Sequence, residues 1–136
     1  MPTDPGLLAV ALYAGLSTLI GLWLAVHVGR KRGELKIMMG DGGDLRMVRA
    51  MRGQANFVET VPFALLLLLM MALMQAPAWA IHLLGIVLIL GRVLHALHFT
   101  ADEAPQWQRS VGAALTFLVM SVGAIGVTGH ALLRLF

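Results

Sequence analysis

The stretch GLLAVALYAGLSTLIGLWLAVHVG, residues 6–29, contains no aspartate, glutamate, lysine or arginine. At about 1.5 Å per residue, a helix of this length crosses the roughly 30 Å of hydrocarbon in a bilayer. Residues 1–4 lack the basic region of a secretory signal, so we expect a retained first helix. A basic cluster at residues 30–32 follows directly, and we predict that the helix stops there.

The whole composition agrees with this first segment. Of 136 residues, 59% are hydrophobic and 12% are charged, with a mean hydropathy of +0.83. A soluble domain of this size is far less apolar. Four spanning helices would use nearly the full length, so we predict an all-α, integral membrane four-helix bundle forming one domain over residues 1–136. Without cysteine there is neither a disulfide nor a thiolate metal site, and we predict no metal.

Turn signals divide the remaining chain into three further helices. We predict helices at residues 6–29, 46–74, 78–99 and 107–133. The glycine-rich residues 40–44 and the residues around Pro77 and Pro105 interrupt the apolar segments, because glycine and proline are poor helix formers.

Basic residues indicate the orientation. Seven of the ten lysines and arginines lie between Arg30 and Arg52, Arg92 and Arg109 flank the last connection, and only Arg134 is at the other end. The positive-inside rule then predicts that both polar connections are cytoplasmic and that the termini are periplasmic in a bacterial inner membrane. The net charge of +3 follows from this asymmetry, and we expect no nucleic-acid partner.

Two charged residues fall within the apolar layer. Only 15 uncharged residues follow Glu59 in the second helix, and Arg92 is preceded by 14 residues of the third helix. Both lengths, about 22 Å and 21 Å, are shorter than the hydrocarbon thickness. We therefore expect Glu59 and Arg92 to point into the bundle as an ion pair, which marks a functional site or serves packing alone.

Helical spacing groups the other polar residues. Arg49, Arg52, Asn56, Glu59 and Thr60 fall within an arc of about 100° on the second helix, whereas Gln54 points away and suggests an oligomer. Arg92, His95 and Phe99 share a face of the third helix, and His98 is rotated away. Arginine forks, a carboxamide and a carboxylate together suit a small peptide-like ligand. Alternatively, Arg49 and Arg52 are an ordinary basic flank, or a histidine pair binds haem.

Residues 49–62 match the pattern R-x-x-R-x-Q-x-N-x-x-E-x-x-P, which resembles the signature of the MAPEG superfamily, the membrane-associated proteins in eicosanoid and glutathione metabolism. The resemblance implies a homotrimer that binds glutathione as co-substrate between subunits near the cytoplasmic side. It implies that Arg52, Asn56 and Glu59 bind glutathione and that Gln54 of the adjacent subunit contacts it as well. Arg109 corresponds to an arginine that stabilises the thiolate in some members.

The chain departs from that family where tyrosines are common. Those places hold Thr60, His95 and Phe99, and Tyr13, the only tyrosine, lies far away. We predict that Arg109 and His95 act on the thiol and that Arg49 and Arg92 complete the binding set. The predicted function is a glutathione transferase acting on hydrophobic small molecules that arrive through membrane lipid. The alternatives are a non-catalytic glutathione- or lipid-binding protein and a haem-binding electron carrier.

Overall fold

The structure, a computed structural model, describes residues 4–136 and consists of four helices. They are α1 (Pro5–Leu35), α2 (Leu45–Leu73), α3 (Ala78–Thr100) and α4 (Gln106–Leu135). Each is long and apolar enough to cross a membrane. The predicted all-α membrane bundle is therefore confirmed, and most predicted helix ends agree within two residues.

Helices α2 and α3 form the centre of the bundle. They pack on each other, and both α1 and α4 pack on the pair, whereas α1 and α4 do not meet within residues 4–136. The largest buried apolar cluster joins all four helices through Ala9, Val10, Tyr13, Ala64, Leu68, Ala72, Ile81, Leu88 and Val119. Most other large apolar side chains are exposed, as expected for surfaces that face lipid or another subunit.

Glycines allow the closest helix contacts. A Cβ at Gly112 on α4 would lie 2.6 Å from the carbonyl oxygen of Gly91 on α3. A Cβ at Gly85 would overlap the ring of Tyr13, and one at Gly123 would lie 3.1 Å from Leu67. These positions confirm the close-packing role that small residues have in membrane bundles. Gly126 makes no such contact, because nothing in the described part of the chain lies within 4 Å of a Cβ placed there.

The prediction that α1 stops at the basic cluster is wrong. The helix continues to Leu35 and ends at Lys36, which adopts a left-handed conformation with φ of 55°. Basic residues mark the edge of the hydrocarbon, but lysine and arginine are good helix formers and do not end a helix. Arg32 instead stabilises the end, since its guanidinium donates to the carbonyl oxygens of Ile37 (3.3 Å) and Gly40 (2.9 Å).

The connection from α1 to α2 is a glycine turn, as predicted. Gly40, Gly42 and Gly43 have φ between 60° and 73°, a region that glycine enters without steric cost. Asp44 then begins α2 by accepting a hydrogen bond from the Arg46 amide at 2.8 Å. This turn brings the start of α2 back against the end of α1.

Candidate functional site

Arg92 lies in the middle of the polar region of the bundle. Its side chain is 1% exposed, although it carries a full charge. Nη1 and Nη2 both donate to Oδ1 of Asn56 at 3.1 Å, and Nη1 also approaches the hydroxyls of Thr60 (3.2 Å) and Thr116 (3.4 Å). Its guanidinium carbon lies 5.8 Å from the centre of the Phe57 ring. Three neutral oxygens and a ring face therefore surround this buried cation.

The two threonines accept from Arg92 because their own protons are used elsewhere. Thr60 donates to the carbonyl oxygen of Asn56 at 2.7 Å, and Thr116 donates to that of Gly112 at 2.9 Å. A hydroxyl whose proton is held in this way presents its lone pairs to a cation. Helices α2, α3 and α4 are thus joined by one polar network.

The predicted ion pair between Glu59 and Arg92 is wrong. Glu59 is exposed on the surface of the single chain, and Asn56 and Thr60, on either side of it, face Arg92 instead. The arc that contains these residues is wide enough for one edge to face α3 while the other faces outward. The sequence placed the two charges at the same depth but could not fix the rotation of α2.

A small cavity opens beside this network. Arg52 and Asn56 from α2, His95 and Phe99 from α3, and Arg109 from α4 line about 160 Å³. The structure thus brings together four of the predicted site residues on three helices. Arg52 and Arg109 are exposed around it, and His95 is buried. The spacing of three between Arg92 and His95 puts both on the face of α3 that meets α2 and α4.

His95 has a free hydrogen-bonding capacity. Its Nδ1 atom is buried and has no hydrogen-bond partner among residues 4–136. The imidazole packs against the Phe99 ring with centroids 4.8 Å apart. Nothing on the protein side therefore fixes its tautomer, so it can donate to or accept from a ligand.

Arg49 belongs to a second, larger cavity. About 310 Å³ is enclosed by His27, Lys31, Arg46, Arg49, Phe99, Ala101, Asp102 and Glu103. One Nη group of Arg49 donates to the carbonyl oxygen of His98, and its guanidinium lies 5.7 Å from the centre of the Phe99 ring. Phe99 lines both cavities and separates them. Arg49 therefore lies on one side of its ring and Arg52 on the other.

Gln54 and Glu59, the other two predicted site residues, line neither cavity. Gln54 is half-buried and Glu59 is exposed on α2. A carboxylate at this depth is costly when it faces lipid. One chain alone leaves Glu59 in that position.

Three residues of the site region had no sequence signal as functional residues. Thr116 is one of four serine and threonine residues in the apolar helix α4, and His98 is buried with Nδ1 3.2 Å from the Pro105 carbonyl oxygen. For Phe99 the sequence predicts a place on the face of Arg92 and His95, but no role beyond standing where the family has tyrosine. Their contacts arise from how α3 and α4 pack, which helical spacing within one segment does not contain.

Chemically, the small cavity offers hydrogen-bond donors and positive charge. Arginine carries donors only, and two arginines and the buried Arg92 lie around one histidine and one carboxamide. No acidic side chain lines this cavity in the described chain. Such a setting favours an anionic group with accepting oxygen or sulfur atoms.

Comparison with known proteins gives three findings. The model of the MAPEG family matches residues 10–128. The inner membrane protein YecN of Escherichia coli K12 is 38% identical over 100 residues, covering 74% of this chain and 76% of YecN. The uncharacterized protein sll1147 of Synechocystis is 34% identical over 128 residues, covering 90% of each chain.

Proposed function

Because the chain belongs to the MAPEG family, we propose that it is a glutathione-binding protein of the bacterial inner membrane that conjugates glutathione to hydrophobic electrophiles. The observation that carries the proposal is the donor-rich cavity formed by Arg52, Asn56, His95 and Arg109. Glutathione offers two carboxylates, two amides and a thiol, and the first and last of these suit a cationic site. The name of the YecN relative supports the inner-membrane location.

Cavity size supports a site completed by other subunits. About 160 Å³ is smaller than the roughly 300 Å³ at which ordinary ligand pockets begin. A tripeptide held here must extend over the outer face of α2, where Glu59 is exposed and Gln54 is half-buried. A homotrimer that covers this face would shield Glu59 from lipid and let it bind the ligand ammonium. Native mass spectrometry in mild detergent tests the assembly, and a monomeric mass would contradict it.

The proposed chemistry is activation of the bound thiol. A thiol with a pKa of about 8.5 is only a few per cent ionised at neutral pH. Positive charge from Arg109 and Arg92 raises the thiolate fraction, and a thiolate attacks electrophiles far better than a thiol. His95 can donate a further hydrogen bond to sulfur in the place of the family's tyrosines. The electrophile reaches the site from membrane lipid.

The test of binding is calorimetric titration of the purified protein with glutathione. Arg52→Ala is expected to weaken binding at least tenfold, because it removes a charge-assisted contact. Arg134→Ala is the matched control, since Arg134 is an exposed arginine at the other end of α4. If both variants bind as the wild type does, or if the wild type does not bind, the glutathione assignment fails.

A second candidate function is favoured by the missing tyrosines. Without them the protein would be a binder that does not turn over. Turnover with a chromogenic electrophile separates the two functions. We expect Arg109→Ala to retain glutathione binding within about threefold while it suppresses thiolate absorbance and turnover. Saturating glutathione with neither a thiolate band nor turnover in the wild type would establish the non-catalytic binder.

A further inference from the structure

We infer that Arg92 is a positioning residue, which holds Asn56 with its carboxamide nitrogen toward the ligand and makes the small cavity a site for an anionic, hydrogen-bond-accepting group. The ligand part of this inference rests on the proposed glutathione function. The orientation of Asn56 by Arg92 does not rest on the proposed function.

The orientation follows from what each group can donate and accept. Both Nη groups of Arg92 lie 3.1 Å from Oδ1 of Asn56. A guanidinium has no acceptor, so only the oxygen of the carboxamide can face it. The two arms of an amide point apart, and the Nδ2 arm is therefore directed away from Arg92. The choice between oxygen and nitrogen, which is often ambiguous for asparagine, is fixed here by chemistry.

The nitrogen arm is available to a ligand. Asn56 lines the small cavity. Its Nδ2 atom has no hydrogen bond to another described residue and is not among the buried polar atoms that lack a partner. An unpaired amide NH2 group of this kind at a cavity wall offers two donors and no acceptor.

The other charged groups around the cavity are all positive, as Arg92 is. Arg52 and Arg109 donate only, and no carboxylate of residues 4–136 lines the space. An ammonium group placed there would meet like charge, with the neutral His95 imidazole but no carboxylate among the lining side chains to accept from it. A carboxylate or a thiolate would meet several donors. The inference thus assigns the ammonium end of the ligand to the outer face of α2 and an anionic end to the cavity.

The buried cation makes the arrangement rigid. Arg92 is almost fully enclosed, so a rotation of Asn56 that turned its nitrogen inward would set a donor against a donor in a buried site. The hydroxyls of Thr60 and Thr116 accept from Nη1, one of the two guanidinium nitrogens that also donate to Asn56. Thr60 therefore contributes to the support of Asn56 through Arg92.

Asn56→Asp and Asn56→Ala together test the inference. The carboxylate of the first variant can accept from Arg92, so its melting temperature should equal or exceed that of the wild type, whereas the second should melt lower. Glutathione affinity should fall more in Asn56→Asp, by at least tenfold, than in Asn56→Ala, because the aspartate turns an acceptor and a negative charge toward the ligand. A purely structural role predicts the opposite order, in which the more stable variant binds better.

Conservative changes at Arg92 give an independent measurement. Arg92→Lys still offers only donors to Asn56 and should bind glutathione more tightly than Arg92→Gln, whose amide can also donate or accept. Glutathione sulfonate and glutathione amidated at its glycine identify the anionic group in the cavity. If the thiolate of glutathione occupies the cavity, glutathione sulfonate should bind more tightly than S-methylglutathione. If the glycine carboxylate occupies it, the amidated form should bind more weakly than glutathione.

The outcomes separate this inference from the proposed function. Equal glutathione affinity in Asn56→Asp and the wild type overturns it, as does equal affinity for all modified glutathiones. If the wild type does not bind glutathione, the proposed function fails, and the melting temperatures alone decide the orientation. Asn56→Asp melting as low as Asn56→Ala would show that Arg92 does not hold this side chain.

Discussion

Phe99 packs directly on Gly53, so closely that a Cβ at residue 53 would lie 2.6 Å from the Cβ atom of Phe99 and 2.9 Å from its Cγ atom. The same phenylalanine separates the small cavity from the larger one and contacts His95 and His98 through ring faces and edges. The wall between the two cavities thus depends on the absence of a side chain on α2.

Gly53→Ala should therefore disturb the site as well as the packing. The Cβ atoms cannot move independently of the backbone, so we expect a loss of about 1–3 kcal/mol in stability, typical of overpacking. Weaker glutathione binding should accompany it. Gly29→Ala is the control, since nothing in the described structure lies within 4 Å of that position. Equal melting temperatures for the two variants would contradict the close contact.

Gly112→Ala should separate α3 from α4. The new methyl group would lie 2.6 Å from the Gly91 carbonyl oxygen and 2.8 Å from the His95 amide nitrogen, and neither backbone atom can rotate away. We expect destabilisation of about 1–3 kcal/mol in an unfolding titration in mixed micelles. Gly126→Ala on the same helix has open space around it and should gain up to about 1 kcal/mol from helix propensity. A loss of stability at both positions would argue against this helix crossing.

The hydrogen bond between Tyr13 and His82 should contribute measurably to stability. The Tyr13 hydroxyl lies 3.0 Å from Nδ1 of His82, and the tyrosine is buried against Gly85. Tyr13→Phe removes only the hydroxyl and should cost about 0.5–1.5 kcal/mol. In a His82→Ala background the same change should cost almost nothing. An equal cost in both backgrounds would show that the two side chains do not interact.

Acid should weaken the start of α2. Arg46 beside Asp44 lowers the pKa of that carboxyl from 3.8 to about 2, through side-chain and backbone hydrogen bonds. A carboxyl whose folded pKa is depressed contributes stability above its unfolded pKa and loses it as the pH falls through the folded value. The melting temperature of the wild type should thus fall between pH 4 and pH 2. Asparagine also caps helices but has no carboxyl group to titrate, so Asp44→Asn should remove this part of the pH dependence of the melting temperature. A variant whose melting temperature depends on pH as that of the wild type does would contradict the role of Asp44.

Membrane orientation can be measured with single cysteines, because the chain has none of its own. By the positive-inside rule, Asp41→Cys in the α1–α2 connection should be protected from an impermeant thiol reagent added to intact cells. Leu135→Cys, near the exposed end of α4, should react. The reverse labelling pattern would invert the proposed topology and place the candidate site on the periplasmic side.

The helices were predictable because lipid imposes one requirement on every segment. Backbone polar groups in hydrocarbon must be satisfied within the helix, so apolar length and turn residues suffice to find the spans. The shared face of Arg52 and Asn56 on α2, and that of Arg92 and His95 on α3, also follow from spacings of four and three residues. The orientation of Glu59 did not follow, because the rotation of α2 depends on which side chains of α3 and α4 pack against it. Thr116 entered the site for the same reason.

The neutral partners of Arg92 have a consequence for biosynthesis. An arginine that faces lipid at this depth costs about 2.5–3.5 kcal/mol, so α3 enters the bilayer under a penalty while it is alone. Asn56 and Thr60 belong to α2, which leaves the ribosome before α3, and Thr116 belongs to α4, which leaves it later. Two of the three oxygen ligands are thus already present when Arg92 reaches the membrane. We therefore expect the α2–α3 hairpin to insert as one unit and α4 to complete the enclosure of the charge afterwards.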